Sequence, residues 1–170
     1  MTGHRADLPQ LKPGLFVSDG GMETTLIFHE GVDLPHFASF VLLDSEEGRA
    51  RLRAYYERYL AIARRHGRGL MLDSPTWRAN RDWGAKLGYD AAGLKRINEA
   101  SIALLDELRQ AWETAATPIV VAGVIGPRGD GYAEGRMSAA EAEDYHAPQI
   151  ASFAQTAADM VAAYTLNDVE

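Results

Sequence analysis

The sequence predicts an α/β fold in which about four parallel strands alternate with helices, and three observations carry that prediction. Short apolar runs end repeatedly in glycines and polar residues, which is how buried parallel strands deliver groups to the rim of a sheet. Between these runs lie two stretches with apolar residues at helical spacing and a third opened by a capping box. The connections are too short for anything except right-handed parallel crossovers. With 46% hydrophobic residues in a chain of 170, there is enough apolar side chain for one well-buried core.

The first strand is Leu15 to Ser18, and it runs straight into Asp19-Gly20-Gly21-Met22-Glu23-Thr24-Thr25. Asp19 therefore stands at a strand's carboxyl end, where open α/β sheets and closed barrels alike bind ligands. Gly20 and Gly21 allow close backbone approach, so a small molecule can reach main-chain N–H groups while Asp19 accepts from an ammonium or hydroxyl. A tight turn capped by Asp19 is the alternative reading of the same residues. Thr24 to Gly31 suits a turn or two of helix, and Val32 to Leu43 reads as a long ordered loop with an apolar end.

Asp44-Ser45-Glu46-Glu47 starts the next helix, its acids facing the positive end of the helix dipole. From there to His66 the apolar face is Leu52, Tyr55, Tyr56, Tyr59, Leu60, Ile62 and Ala63. The helical spacing of the three tyrosines marks them as packing residues before a ligand cage. Gly67 and Gly69 bracket the helix end. Leu70-Met71-Leu72 follows as a second buried strand and ends in Asp73-Ser74-Pro75-Thr76-Trp77-Arg78-Ala79-Asn80.

Asp90 to Thr114 is the next helix, with Leu94, Ile97, Ile102, Leu105 and Leu108 on one face. Ile119 to Ile125 is apolar on both faces, which suits the middle of a parallel sheet. Gly126 to Gly131 has the glycine content of a phosphate loop without its lysine and serine, and reads as a mobile active-site loop. Ser138-Ala139-Ala140-Glu141 is a capping box for a helix reaching to about Ala157, with His146, Ile150 and Phe153 on one face. Met160 to Thr165 reads as the fourth strand.

Four such units in 170 residues amount to the N-terminal half of a (β/α)8 TIM barrel, which needs eight units in roughly 250 residues. The organisation expected is a polar N-terminal extension over residues 1–13, then a partial barrel domain over 14–170, truncated after the fourth strand. The first and fourth strands would each keep one unpaired edge, through which copies of the chain could associate into a homo-oligomer. Val17, Met71, Val121 and Val161, or their alternating neighbours, would line the barrel interior.

A net charge of −7 and a pI near 5.2 exclude attraction to nucleic acid or to an anionic membrane surface. There is no cysteine, so no disulfide, thiolate metal site or cysteine nucleophile exists within these residues. The amino terminus lacks the apolar core of a signal peptide, and no run approaches the ~20 apolar residues of a membrane span. The expected setting is cytoplasmic.

Asp19-Gly20-Gly21-Met22-Glu23-Thr24, Ser74-Pro75-Thr76-Trp77-Arg78-Ala79 and Val121-Ala122-Gly123-Val124-Ile125-Gly126-Pro127 stand at three strand ends in the same chain order. In this the chain, from about Leu15 onward, resembles the homocysteine S-methyltransferase family. That family includes betaine- and S-methylmethionine-dependent enzymes and the homocysteine-binding module of methionine synthase. The resemblance implies a (β/α)8 barrel in which zinc, held by three cysteine thiolates, activates the homocysteine thiol to accept a methyl group from an onium or folate donor. A zinc-bound thiolate is the competent nucleophile for that reaction.

Carried over by this resemblance, Asp19, Gly20 and Gly21 contact the substrate amino acid, and Ser74 and Thr76 match the polar positions after the second strand. Where the family has an acid on the fourth strand to hold the amino group, this chain has Tyr164 or Thr165. The family's zinc cysteines lie beyond the fourth strand, so the resemblance implies zinc for the full-length family but no ligand for it here. The partners implied are a thiol amino acid and a methyl donor, and the chain alone is expected to lack methyl transfer. Two other classes remain: a non-catalytic small α/β binding or assembly module, and a metal hydrolase using His29, Asp33, His36, Asp73 and His146. The hydrolase reading has no HxH or HExxH spacing behind it.

Overall fold

The computed structural model describes residues 3–131 and 137–167 of the chain. One sheet of four parallel strands, β1 (Phe16–Ser18), β2 (Gly69–Asp73), β3 (Ile119–Ile125) and β4 (Met160–Ala163), runs in the order β1-β2-β3-β4. Its order never reverses, as it would in a doubly wound sheet, and the arrangement is that of half a (β/α)8 barrel. Val17 is paired with Leu70, Leu72 with Val121, and Val124 with Ala162. Among the described residues β1 pairs only with β2, and β4 only with β3.

The helices form where their caps and apolar periods place them. They are α1 (Met22–Thr24), α2 (Glu46–His66), α3 (Arg81–Lys86), α4 (Ala91–Trp112) and α5 (Ala139–Ala154). Ser45 Oγ accepts from Gly48 N at 3.0 Å, and Asp90 Oδ1 accepts from Gly93 N at 2.7 Å. Ser138 and Glu141 complete a capping box on α5. Gly67 ends α2 in the left-handed conformation, φ 55°, which costs least without a Cβ. Gly69 is not a second cap: it belongs to β2, where a Cβ would lie 2.3 Å from the Phe16 ring.

Several expectations need correction. The helix after Asp19 begins at Met22 and continues as a π-helical turn over Thr25–His29. Val32 to Leu43 is not plain loop but carries 3-10 helices at Pro35–Phe37 and Ser39–Asp44. The third long helix stops at Ala154, and β4 stops at Ala163, short of Tyr164 and Thr165. Finally, α3 had no period to reveal it. Trp83 is its only large apolar residue, and its start is set by the Asn80 side chain accepting from Trp83 N at 3.3 Å.

The main core lies between the sheet and the helices. Leu70, Leu72, Ile119, Val121 and Ile125 meet Leu52, Tyr56, Leu60, Ile102, Leu105 and Phe153 there. Val17 packs on the same side, and Val161, in register with Gly123, is 36% exposed. Three of the four residues named for a barrel interior thus face the helix layer. Their neighbours Ala122, Val124 and Ala162 make a second cluster on the opposite face with Trp77 and Met160. A period of two fixes only that alternate residues share a face, not which face is which.

The polar N-terminal stretch lies along the connection from α5 to β4. Arg5 Nε donates to Ala158 O at 3.0 Å and its Nη2 to Thr156 O at 2.9 Å, while His4 N donates to Asp159 Oδ1 at 2.5 Å. No helix among the described residues is long and apolar enough to cross a membrane.

Candidate functional site

All four strands deliver their carboxyl ends to one cavity of about 790 Å³, within the range of small-molecule sites. Ser18, Asp19, Gly20 and Gly21 come from β1 and its turn, Asp73 and Ser74 from β2, Val124 from β3, and Tyr164 and Thr165 from the end of β4. The chain has only three described non-glycine residues with positive φ, and all three line this cavity: His36 (57°), Phe37 (56°) and Thr165 (55°). Side chains avoid that region unless the surroundings impose it, and such residues gather at binding sites.

Two carboxylates dominate one wall. Asp19 is half-buried, and its carboxyl is pushed up to about 7, first by burial and then by the charges of Asp73 and Glu23. Burial also raises Asp73, against a hydrogen bond from the Tyr164 hydroxyl, 2.6 Å from Asp73 Oδ2. The other oxygen, Asp73 Oδ1, is buried with no protein partner. A buried acceptor left unfilled at a cavity wall is a place for a ligand's donor.

The α2 tyrosines support this wall from beneath. Tyr55 OH donates to Gly20 O at 2.9 Å, and Tyr56 OH donates to Asp73 O at 2.7 Å. Both rings are core, 1% and 0% exposed, and their hydroxyls fix the backbone of the two acids' turns.

Ser74 and Thr76 serve the sheet. Ser74 Oγ accepts from Val124 N at 2.8 Å and lies 2.6 Å from Thr76 Oγ1, which donates to Val124 O at 2.8 Å. The geometry closes a ring of hydroxyls and peptide groups that joins the end of β2 to β3. Thr76 is fully buried and does not line the cavity, whereas Ser74 lines it. Tyr164 reaches Asp73, and Thr165 Oγ1 accepts from Trp77 Nε1 at 3.0 Å, tying the β4 end to the β2 loop.

Asp73, Trp77 and Arg78 line the cavity too, and the sequence motifs predict no amino-acid-binding role for them. The signal for Asp73 was available, since it follows a buried strand as Asp19 does. The histidines of the hydrolase reading stay apart. His29 is exposed, while His146 is buried on α5 with Nδ1 unpartnered and its pKa lowered by burial. Among the described residues no three of His, Cys, Asp and Glu are grouped to hold a metal ion. Asp130, from the loop after β3, lines the cavity too.

Fold and cavity together define the class: a parallel α/β half-barrel with a cavity walled by two acids and an arginine at the carboxyl ends of its strands. The chain belongs to the homocysteine S-methyltransferase family, whose model matches residues 16–170. Two solved structures share the fold, both of the homocysteine methyltransferase MmuM from Escherichia coli. The metallated form aligns at TM-score 0.70 and 20% identity over 96% of this chain, and the oxidized form at 0.70 and 23% over 95%. This chain spans 57% and 56% of those proteins' chains. Among curated protein sequences none matches it.

Proposed function

We propose that these residues form the amino-acid-binding half of a homocysteine S-methyltransferase-like site. The observation that carries this reading is the acid pair at adjacent strand ends, Asp19 with its raised pKa and Asp73 with a buried, unfilled oxygen. Two carboxylates that disfavour each other's charge are stabilised when a cation enters between them. The ammonium of a thiol amino acid such as homocysteine supplies one, and Asp73 with Tyr164 takes the part of the family's fourth-strand acid. Gly20 and Gly21 bring backbone close to the same ligand, and Ser74 and Thr76 hold the β2 rim in place. In the complete reaction the thiol loses its proton, its sulfur bonds the methyl carbon, and the donor departs with the electron pair of the broken bond. A cytoplasmic setting keeps such a thiol reduced.

Zinc does not fit the residues present. The sequence holds no cysteine, and the described carboxylates and histidines form no group of three, whereas a thiolate site needs sulfur donors. No activation of the thiol is therefore assigned to this chain.

The test follows from the sign of the Asp19 shift. Below about pH 7 Asp19 holds its proton in the free site, so cation affinity rises as pH rises through 7. Binding near pH 7 then releases a proton. Titration calorimetry with L-homocysteine in two buffers of unequal ionisation heat should show that release. Asp19→Asn should abolish it and weaken binding by about 1.5–3 kcal/mol, the worth of a charge-assisted hydrogen bond. Unchanged affinity in Asp19→Asn would remove Asp19 from the site.

A second reading concerns association, and it rests on the unpaired edges of β1 and β4. Open edges template pairing with another chain, so sedimentation equilibrium is expected to show a dimer or higher species. A single monomeric species at all concentrations would rule this out.

A further inference from the structure

We propose that Arg78 is the anion-recognising residue of this cavity and takes a carboxylate of the ligand through one edge of its guanidinium. Its Cζ lies 4.1 Å from the centre of the Trp77 ring and 3.7 Å from that of Trp83. Two indole rings that close to one carbon crowd the space around it, and a guanidinium so packed offers a ligand its edge, in the planar fork geometry that suits a carboxylate. The side chain lines the cavity and is only 9% exposed. Nη1 donates to Gly129 O at 3.3 Å, whereas Nε is buried with no partner. Nη1 is thus the engaged tip, and Nε is the donor left open to a ligand.

Burial lowers the pKa of Arg78, and the charges acting against that come from Asp130 and Glu23, not from Asp19 or Asp73. The cavity is therefore polar in two senses, with a cation-seeking wall at the acid pair and an anion-seeking wall at Arg78. An arginine is the one side chain that stays charged in such a slot, since its pKa is too high for burial to neutralise it. The identity of the ligand rests on the function proposed above, and the carboxylate could be that of the thiol amino acid or that of the methyl donor. The anion site itself does not depend on that reading.

Two of the chain's three tryptophans flank Arg78, so their fluorescence reports on it. With acetate as the probe, at constant ionic strength and against a chloride control, the wild-type chain should show a saturable emission change. Arg78→Met, whose side chain fills the slot between the indoles, should lose that change or shift its midpoint by more than about tenfold. Arg78→Lys, a point charge without the fork, should fall between them, and circular dichroism should show all three folded. No saturation in the wild type, or an unmoved midpoint in Arg78→Met, overturns the proposal.

Matched ligands then identify the carboxylate's source: L-homocysteine against 3-aminopropane-1-thiol, and glycine betaine against choline. The acid of one pair should bind about tenfold tighter than its carboxylate-free counterpart, and Arg78→Met should erase that preference. A preference that survives in Arg78→Met places carboxylate recognition elsewhere and overturns the proposal. If homocysteine fails to bind while acetate still saturates through Arg78, the anion site stands and the thiol-amino-acid reading falls.

Discussion

Replacing Asp159 with alanine should cost about 3–5 kcal/mol of folding free energy, the range for removing one partner of a buried ion pair. Asp159 and Arg109 are 5% and 4% exposed, and Arg109 Nη1 donates to Asp159 Oδ2 at 2.8 Å. That same oxygen accepts from Val121 N at 2.8 Å, in the middle of β3, and Oδ1 accepts from His4 N. Alanine would leave a buried guanidinium with only Asp106 and the Ala157 carbonyl, and would strip acceptors from two backbone N–H groups. Asparagine keeps an acceptor and loses the charge, so Asp159→Asn should cost less. Urea denaturation measures both, provided the slope stays constant. A loss below about 1 kcal/mol for alanine would show the pair to be replaceable by water.

Phe153→Ala should cost a similar amount, about 3–5 kcal/mol, through lost burial and the cavity left behind. Phe153 is 1% exposed on α5, and its ring sits over Gly123 in β3. A Cβ at Gly123 would lie 2.5 Å from that ring. The strand thus omits a side chain where the helix supplies a large one. The reciprocal change, Gly123→Ala, should destabilise by about 1–3 kcal/mol from overpacking. If Phe153→Ala instead melts within a degree or two of wild type, the ring is not the keystone of the α5–β3 contact.

The elements that carried a strong local signal were legible in the residues. Ile119–Ile125 is the strand expected to the residue, because an apolar run rich in β-branched residues and bounded by Pro118 and Gly126 is too short for a buried helix. The capped helices were likewise legible from Ser45, Asp90 and Ser138. What stayed hidden depends on contacts distant in sequence. The Ser74 and Thr76 hydroxyls look like ligand groups beside a strand end, yet they are spent on Val124, nearly 50 residues away. In the sequence Asp73 is a strand-end acid with only a metal-ligand role to offer, and its place beside Tyr164 and Asp19 comes from the fold. Arg78 gains its meaning from two indoles, one of them on the short helix that had no period to announce it.

Because β1-β2-β3-β4 is also the order of the chain, each strand leaving the ribosome finds its partner already present. The growing sheet never has to reopen to admit a later strand between two earlier ones. The clasp of His4 and Arg5 on residues 154–159 is the exception, spanning about 150 residues of sequence. His4 and Arg5, which precede the sheet in the chain, are therefore fastened late, and they wait on the arrival of Asp159.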